Sequence, residues 1–283
     1  MIKKVINHRG WLKSFLFIPL LLFSQIFGVL VLLLSGYELS EISSNTMNES
    51  IMIILEYSGL VIVTIMIWLF MKYIDKQPLI EIGFQTQGRL KEINYGIFLG
   101  LFIMAFAFIF LSSIGEIIFL SYSFDFNQIL LSLVLFIGVS FFEEIIFRGY
   151  MLKNLLESFN PFVALLISSL FFSLIHGSNP NVTTLGLCNI FLAGYFLGAS
   201  YVFTKNLWFP IALHFSWNFF QSMFGFKVSG LDSYSIIDFT IPQNNMLNGG
   251  EFGFESSYLS IIVLIFGTFI IWNYFKNKNI EKN

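Results

Sequence analysis

The stretch NQILLSLVLFIGVSFFEEIIFRGYML, residues 127–152, decides how the rest of the chain is read. It is apolar enough for the hydrocarbon of a bilayer, yet Glu143, Glu144 and Arg148 sit inside it without breaking the apolar run. An ionisable group in a spanning helix costs several kcal/mol unless it is paired or faces a wet cavity, so each such residue is a functional candidate. Glu144 and Arg148 are four apart on one helical face with the acid N-terminal to the base, the favourable order for an ion pair. Glu143 points about 100° away from Glu144. With no cation beside it on the helix, it is suited to exchanging a proton with a reacting group. Taken alone, the motif leaves a second reading open, in which both acids hold helices together through Arg148.

The composition extends the membrane reading to the whole chain. Of 283 residues, 56% are hydrophobic and only 11% charged, where soluble domains carry about 25% charge. The mean hydropathy is +0.79, and the apolar residues come in long blocks. Eight blocks approach the roughly 20 residues that cross a bilayer core, at about 11–36, 51–72, 94–119, 127–152, 160–177, 184–204, 207–224 and 257–275. The expected fold is therefore all-α, a polytopic membrane helix bundle of about eight transmembrane helices forming a single integral membrane domain over residues 1–283. The first block follows Lys3, Lys4, Arg9 and Lys13 but is too long for a cleaved signal, so it reads as a retained span. The net charge of −2 and the absence of a basic surface exclude nucleic acid as a partner. Cys188 stands alone in an apolar block, which rules out a disulfide and points to helix packing.

Cytoplasmic loops hold the excess of Lys and Arg. With the N-terminus inside, every Lys and Arg except Lys227 falls on the cytoplasmic side, among them Lys72, Lys76, Arg89, Lys91, Arg148, Lys153, Lys205 and Lys276. The expected arrangement is a multi-pass protein of the cell membrane with N- and C-termini cytoplasmic. The segment Pro78 to Glu92 reads as interfacial. The outer loop at 225–256, rich in Gly, Asn and Ser, is either a lid or a connector. Gly194 and Gly198 form a GxxxG pair that lets helices approach closely. Glu56 and Glu116, single acids in the second and third blocks, favour a structural role.

Of the three histidines, His8 lies in the N-terminal tail, while His176 and His214 fall in or at the ends of apolar blocks. His176 follows Phe172 by four, so an aromatic on the same face buttresses its ring. His214 and Asn218 are likewise four apart and form a polar stripe that needs a polar partner.

These residues resemble three motifs of the CPBP family of intramembrane proteases, which includes the type II CAAX prenyl endopeptidases and bacterial proteins linked to bacteriocin processing and self-immunity. The motifs are EExxxR as Glu143, Glu144 and Arg148, then FxxxH as Phe172 and His176, then HxxxN as His214 and Asn218. The resemblance covers a motif-bearing core of about residues 75–224. It implies an intramembrane endopeptidase that hydrolyses a peptide bond of a membrane-associated peptide or protein, with Glu143 and His176 activating water and His214 and Asn218 stabilising the oxyanion. Glu144 and Arg148 are the structural ion pair. A zinc ion on Glu143, His176 and His214 is the alternative chemistry, but there is no HExxH motif, and the reading favours a metal-free site without cofactor. The CAAX branch implies a prenylated substrate, whereas the Asn, Ile, Lys and Phe bias resembles that of an AT-rich bacterial genome. The competing functions are a non-catalytic immunity or scaffold protein that keeps the protease fold, and a proton-coupled transporter; the latter calls for internal repeats and broken helices, which the sequence lacks.

Depth tests the assembly. Were the fourth helix to end at Arg148, Glu143 would lie about 7 Å below the cytosolic interface, against about 24 Å for His176. A fourth helix that continues to about residue 157 brings them level. The site is expected to open towards the cytosolic half of the membrane.

Overall fold

The computed structural model describes residues 9–42 and 48–280; His8, Lys3, Lys4 and Lys282 lie outside them. Among the described residues, seven helices are long and apolar enough to cross a membrane. They are α1 (Gly10–Leu34), α2 (Glu49–Asp75), α3 (Leu90–Ser113), α4 (Phe126–Ser158), α5 (Pro161–Ser178) and α6 (Thr184–Thr204), with the last span in Tyr258–Asn277. The expected seventh block instead forms a helix of 16 residues, α7 (Trp208–Met223). At 1.5 Å per residue it is about 24 Å long, short of the roughly 30 Å hydrocarbon core. The last span is α8 (Tyr258–Ile280).

Although short, α7 runs from one end of the bundle to the other. The Leu207 amide donates to the Gly83 carbonyl at 2.9 Å just before α3, and at the far end Ile236 donates to the Met223 carbonyl. Most of α7 is buried, because α3 packs along it. A Cβ on Gly100 would stand 2.0 Å from Ser216 Oγ, so only glycine permits this approach; the same hydroxyl donates to the Gly96 carbonyl at 2.9 Å. Wrapped in protein, α7 has no need to match the lipid thickness.

Two expectations about α3 and its sequel are corrected. The third block was to run to residue 119, but α3 stops at Ser113 and Gly115 turns the chain at φ +78°. The apolar residues that follow form β1 (Ile118–Tyr122), paired antiparallel with β2 (Ile237–Thr240) from the long loop. A short apolar run has no period by which strand and helix are distinguished, so the third block absorbed this ribbon, while the fold remains a helical membrane bundle. Glu116 accordingly lies beyond α3, where its Oε2 accepts from Asn245 and Asn248 at 2.7 and 2.8 Å and anchors the loop.

Helix α4 is 33 residues long, about 50 Å. Asp125 caps its start by accepting from the Asn127 and Gln128 amides, and it continues to Ser158 as the depth argument required. From Ile145 to Leu152 it widens into π-helix, a geometry that recurs at functional sites. At its C-terminal end Lys153 donates to Gln77 at 2.9 Å, while Lys13 pairs with Asp75, so the start of α1 and the ends of α2 and α4 share one face of the bundle. Arg148, counted by sequence among the cytoplasmic cations, is instead buried in the interior, 1% exposed.

The opposite face is filled by the 225–256 loop. Phe252 and Phe254 are fully buried, and the Tyr234 amide donates to Glu49 at 2.8 Å. Ser132 of α4 donates to the same Glu49 oxygen at 3.0 Å. The loop is thus a packed plug rather than a loose connector.

Candidate active site

The site is assembled from α4, α5 and α7 around the ring of Phe172. Arg148 stacks on one side of this ring at 4.4 Å from its centroid. The His176 and His214 rings lie 5.0 and 6.2 Å from it, and Phe147 meets it edge-on at 5.2 Å. The FxxxH spacing delivers the His176 contact along α5; the others come from α4 and α7.

Arg148 donates to Glu144 Oε1 at 2.6 Å and to the Gly194 carbonyl at 3.0 Å. That carbonyl is reachable because α6 packs closely at Gly194, where a Cβ would lie 2.9 Å from the Ser169 backbone. The small-residue face of α6 is therefore a packing face that also feeds the ion pair. Glu144 does more than pair with Arg148. The same Oε1 lies 2.8 Å from His214 Nδ1, and a carboxylate oxygen already receiving an arginine acts as the acceptor, so Nδ1 carries the proton and the ring is fixed in orientation. The His176 ring is held in the same manner, with Nδ1 donating to the Phe172 carbonyl at 2.7 Å.

Both histidines consequently turn Nε2 towards Glu143. Its Oε1 lies 3.8 Å from His176 Nε2 and its Oε2 3.8 Å from His214 Nε2. Glu143, His176, His214 and Asn218 line one cavity of about 620 Å³, whose walls are largely apolar. Asn218 is buried one turn beyond His214 on α7. Among the described residues no group of three or more His, Cys, Asp or Glu is arranged to hold a metal ion. The separation of Glu143 from each imidazole is that of groups sharing a small molecule rather than bonded to each other.

Sequence reasoning missed two members of this cavity. Glu56 of α2 lines it, and its Oε2 is shut off from solvent with no hydrogen-bond partner among the described residues. Its signal was an acid in an apolar block, read as structural. Glu255 lines the cavity from the loop and accepts from the Ser229 amide and hydroxyl at 2.7 and 2.8 Å. Burial pushes the Glu255 carboxyl above the usual carboxylate range, although the Ser229 donors and the nearby His176 and His214 act the other way. No local pattern marks Glu255. The cavity also reaches Ser229, Leu231 and Asp232, so it extends to the loop-filled face.

Fold and cavity together define a polytopic helical membrane protein with a cavity-lining cluster of a carboxylate, two oriented imidazoles and a carboxamide, of which His214 and Asn218 are buried and Glu143 and His176 partly so. Residues 125–220 match the family model for the type II CAAX prenyl endopeptidase Rce1-like domain, a stretch that contains all of these groups. The match spans 96 of the 283 residues and is consistent with the CPBP family of membrane proteases. No curated protein and no solved structure matches the chain.

Proposed function

We propose that this chain is an intramembrane endopeptidase in which Glu143 is the general base, acting without a metal. The observation that carries this is the pair of 3.8 Å separations between the two Glu143 oxygens and the two Nε2 atoms. A water at the apex of Glu143 and His176 makes hydrogen bonds of about 2.8 Å to both. Glu143 takes its proton, the hydroxide adds to the peptide carbonyl carbon, and the proton then passes to the departing amine as the C–N bond breaks. The products are a carboxylic acid and an amine.

His176, with its proton on Nδ1, offers a lone pair at Nε2 and helps to hold the water. His214 is oriented by Glu144, and donation from its Nε2 to an oxyanion requires the imidazolium form. Asn218 supplies a donor with no protonation requirement, and such donors gain strength in a water-poor site. The substrate is a membrane-associated peptide or protein, which enters an apolar cavity suited to it. The cluster of Lys13, Lys153 and Lys205 around one face supports a cell-membrane protein with both termini cytoplasmic.

The test is Glu143→Gln, assayed for cleavage of a reporter peptide and for a cellular phenotype such as bacteriocin resistance. Cleavage is expected to fall by about 10²–10⁴-fold, with the phenotype following it. A phenotype that survives the substitution would mean a scaffold or immunity role. Activity abolished by chelators would overturn the metal-free mechanism in favour of zinc on Glu143, His176 and His214.

A further inference from the structure

Glu56 lies outside the matched 125–220 domain, and the mechanism above does not use it. Its position follows from how α2 and α4 pack. The two helices run in the same direction, joined near their outer ends where Ser132 donates to Glu49; ten residues further along each, Gly59 packs against Phe142. The two contacts share one offset, so Glu56 stands level with Val139 and about four residues before Glu143, or roughly 6 Å along the helix axis. An extended peptide advances about 3.3 Å per residue. Glu56 is therefore one to two residues away from the bond that Glu143 addresses.

The walls between these points are apolar, formed by Leu21, Leu55, Phe136 and Phe142. Besides Glu143, the cavity carries the carboxyls of Glu56, Asp232 and Glu255, while no Lys or Arg lines it among the described residues. Glu255 is satisfied by Ser229, and Asp232 sits 3.6 Å from Lys227. Glu56 alone of the three has an oxygen enclosed without a hydrogen-bond partner among the described residues. A carboxyl group in such a setting favours a cationic partner strongly, because little water competes for it.

We propose that Glu56 is a subsite for a cation on the substrate: the protein takes an apolar peptide carrying a lysine, arginine or terminal ammonium one to two residues from the cleaved bond. This rests on the peptidase reading of the site and adds the class of substrate.

The test measures binding and cleavage separately with the full-length protein in detergent. The probes are fluorescent apolar peptides with blocked ends that carry one lysine, or norleucine in its place, and a third that has no lysine but a free N-terminus. The lysine position is scanned along the peptide. The wild type is expected to bind a cationic peptide about tenfold more tightly than the norleucine peptide, with the lysine and free-terminus arms telling which cation is read. Glu56→Gln is expected to erase that preference, and Glu56→Asp to retain part of it, which guards against a fold defect in either variant. Equal binding of all peptides by the wild type overturns the subsite, as does an equal loss on all peptides in Glu56→Gln. Discrimination in binding without any cleavage would sink the peptidase reading and leave the subsite standing; cleavage without discrimination would do the reverse.

Discussion

Substituting Glu144 by Gln leaves Arg148 buried with the Gly194 carbonyl but without its counter-ion. Breaking a buried pair from one side costs about 3–5 kcal/mol, and the expected result is a lower unfolding temperature in detergent together with lost activity, since His214 also loses its orienting acceptor. Glu143→Gln should leave stability within about 1 kcal/mol of wild type, because its carboxylate stands 3.8 Å from each imidazole and is not embedded in the ion-pair network. Thermal unfolding of the two variants side by side separates structure from chemistry at adjacent residues. The division between Glu144 and Glu143 was legible in the sequence, because i, i+4 spacing along one helix is a local property. That Glu144 also orients His214, seventy residues away in the chain, was not.

At the scale of elements, the contact between α3 and α7 sets the position of His214. Gly100→Ala would drive a methyl group towards Ser216 Oγ and the Trp217 amide, which lie 2.0 and 2.7 Å from the ideal Cβ. Overpacking of this kind costs about 1–3 kcal/mol, and the shift falls two residues from His214. Peptidase activity is therefore expected to drop more than stability does, as read by comparing reporter cleavage with thermal unfolding. The loop offers a different handle. Because burial raises the Glu255 carboxyl, the folded state holds that proton more tightly than the unfolded chain does. Its contribution to stability is complete below the ordinary carboxylate range and is lost as pH rises through the raised folded value. Glu255→Gln should consequently flatten this part of the stability profile against pH and stabilise the protein at neutral pH, which unfolding curves over pH 4–8 would reveal. The existence of α4 beyond Arg148 was recoverable from depth arithmetic, whereas the β1–β2 ribbon was hidden within apolar residues that continued the α3 block.

For the whole molecule, the bundle has a cation-rich face at Lys13 and Lys153 and an opposite face packed by the 225–256 loop. In a Cys188→Ser background, a cysteine at Lys227 is expected to react with an impermeant thiol reagent from outside intact cells, and a cysteine at Lys153 only after permeabilisation. The reverse pattern would invert the membrane orientation and turn the cavity towards the cytosol. The route by which substrate reaches Glu143 depends on this outcome.

By itself the sequence determined a helical membrane protein, the Glu144–Arg148 pair, and the set of polar residues needing a common partner. These follow from segment hydropathy and from spacing along single helices, which local chain geometry dictates. Only the tertiary structure decided that the Phe172 ring gathers Arg148 and both imidazoles around it, that each Nε2 turns to Glu143, and that Glu56 and the loop residue Glu255 share the cavity. The reason is physical: those relations join helices and a loop far apart in the chain, and the direction a side chain takes across an interface is set by close packing and by the acceptors available there, neither of which is written in the residue order of any one segment.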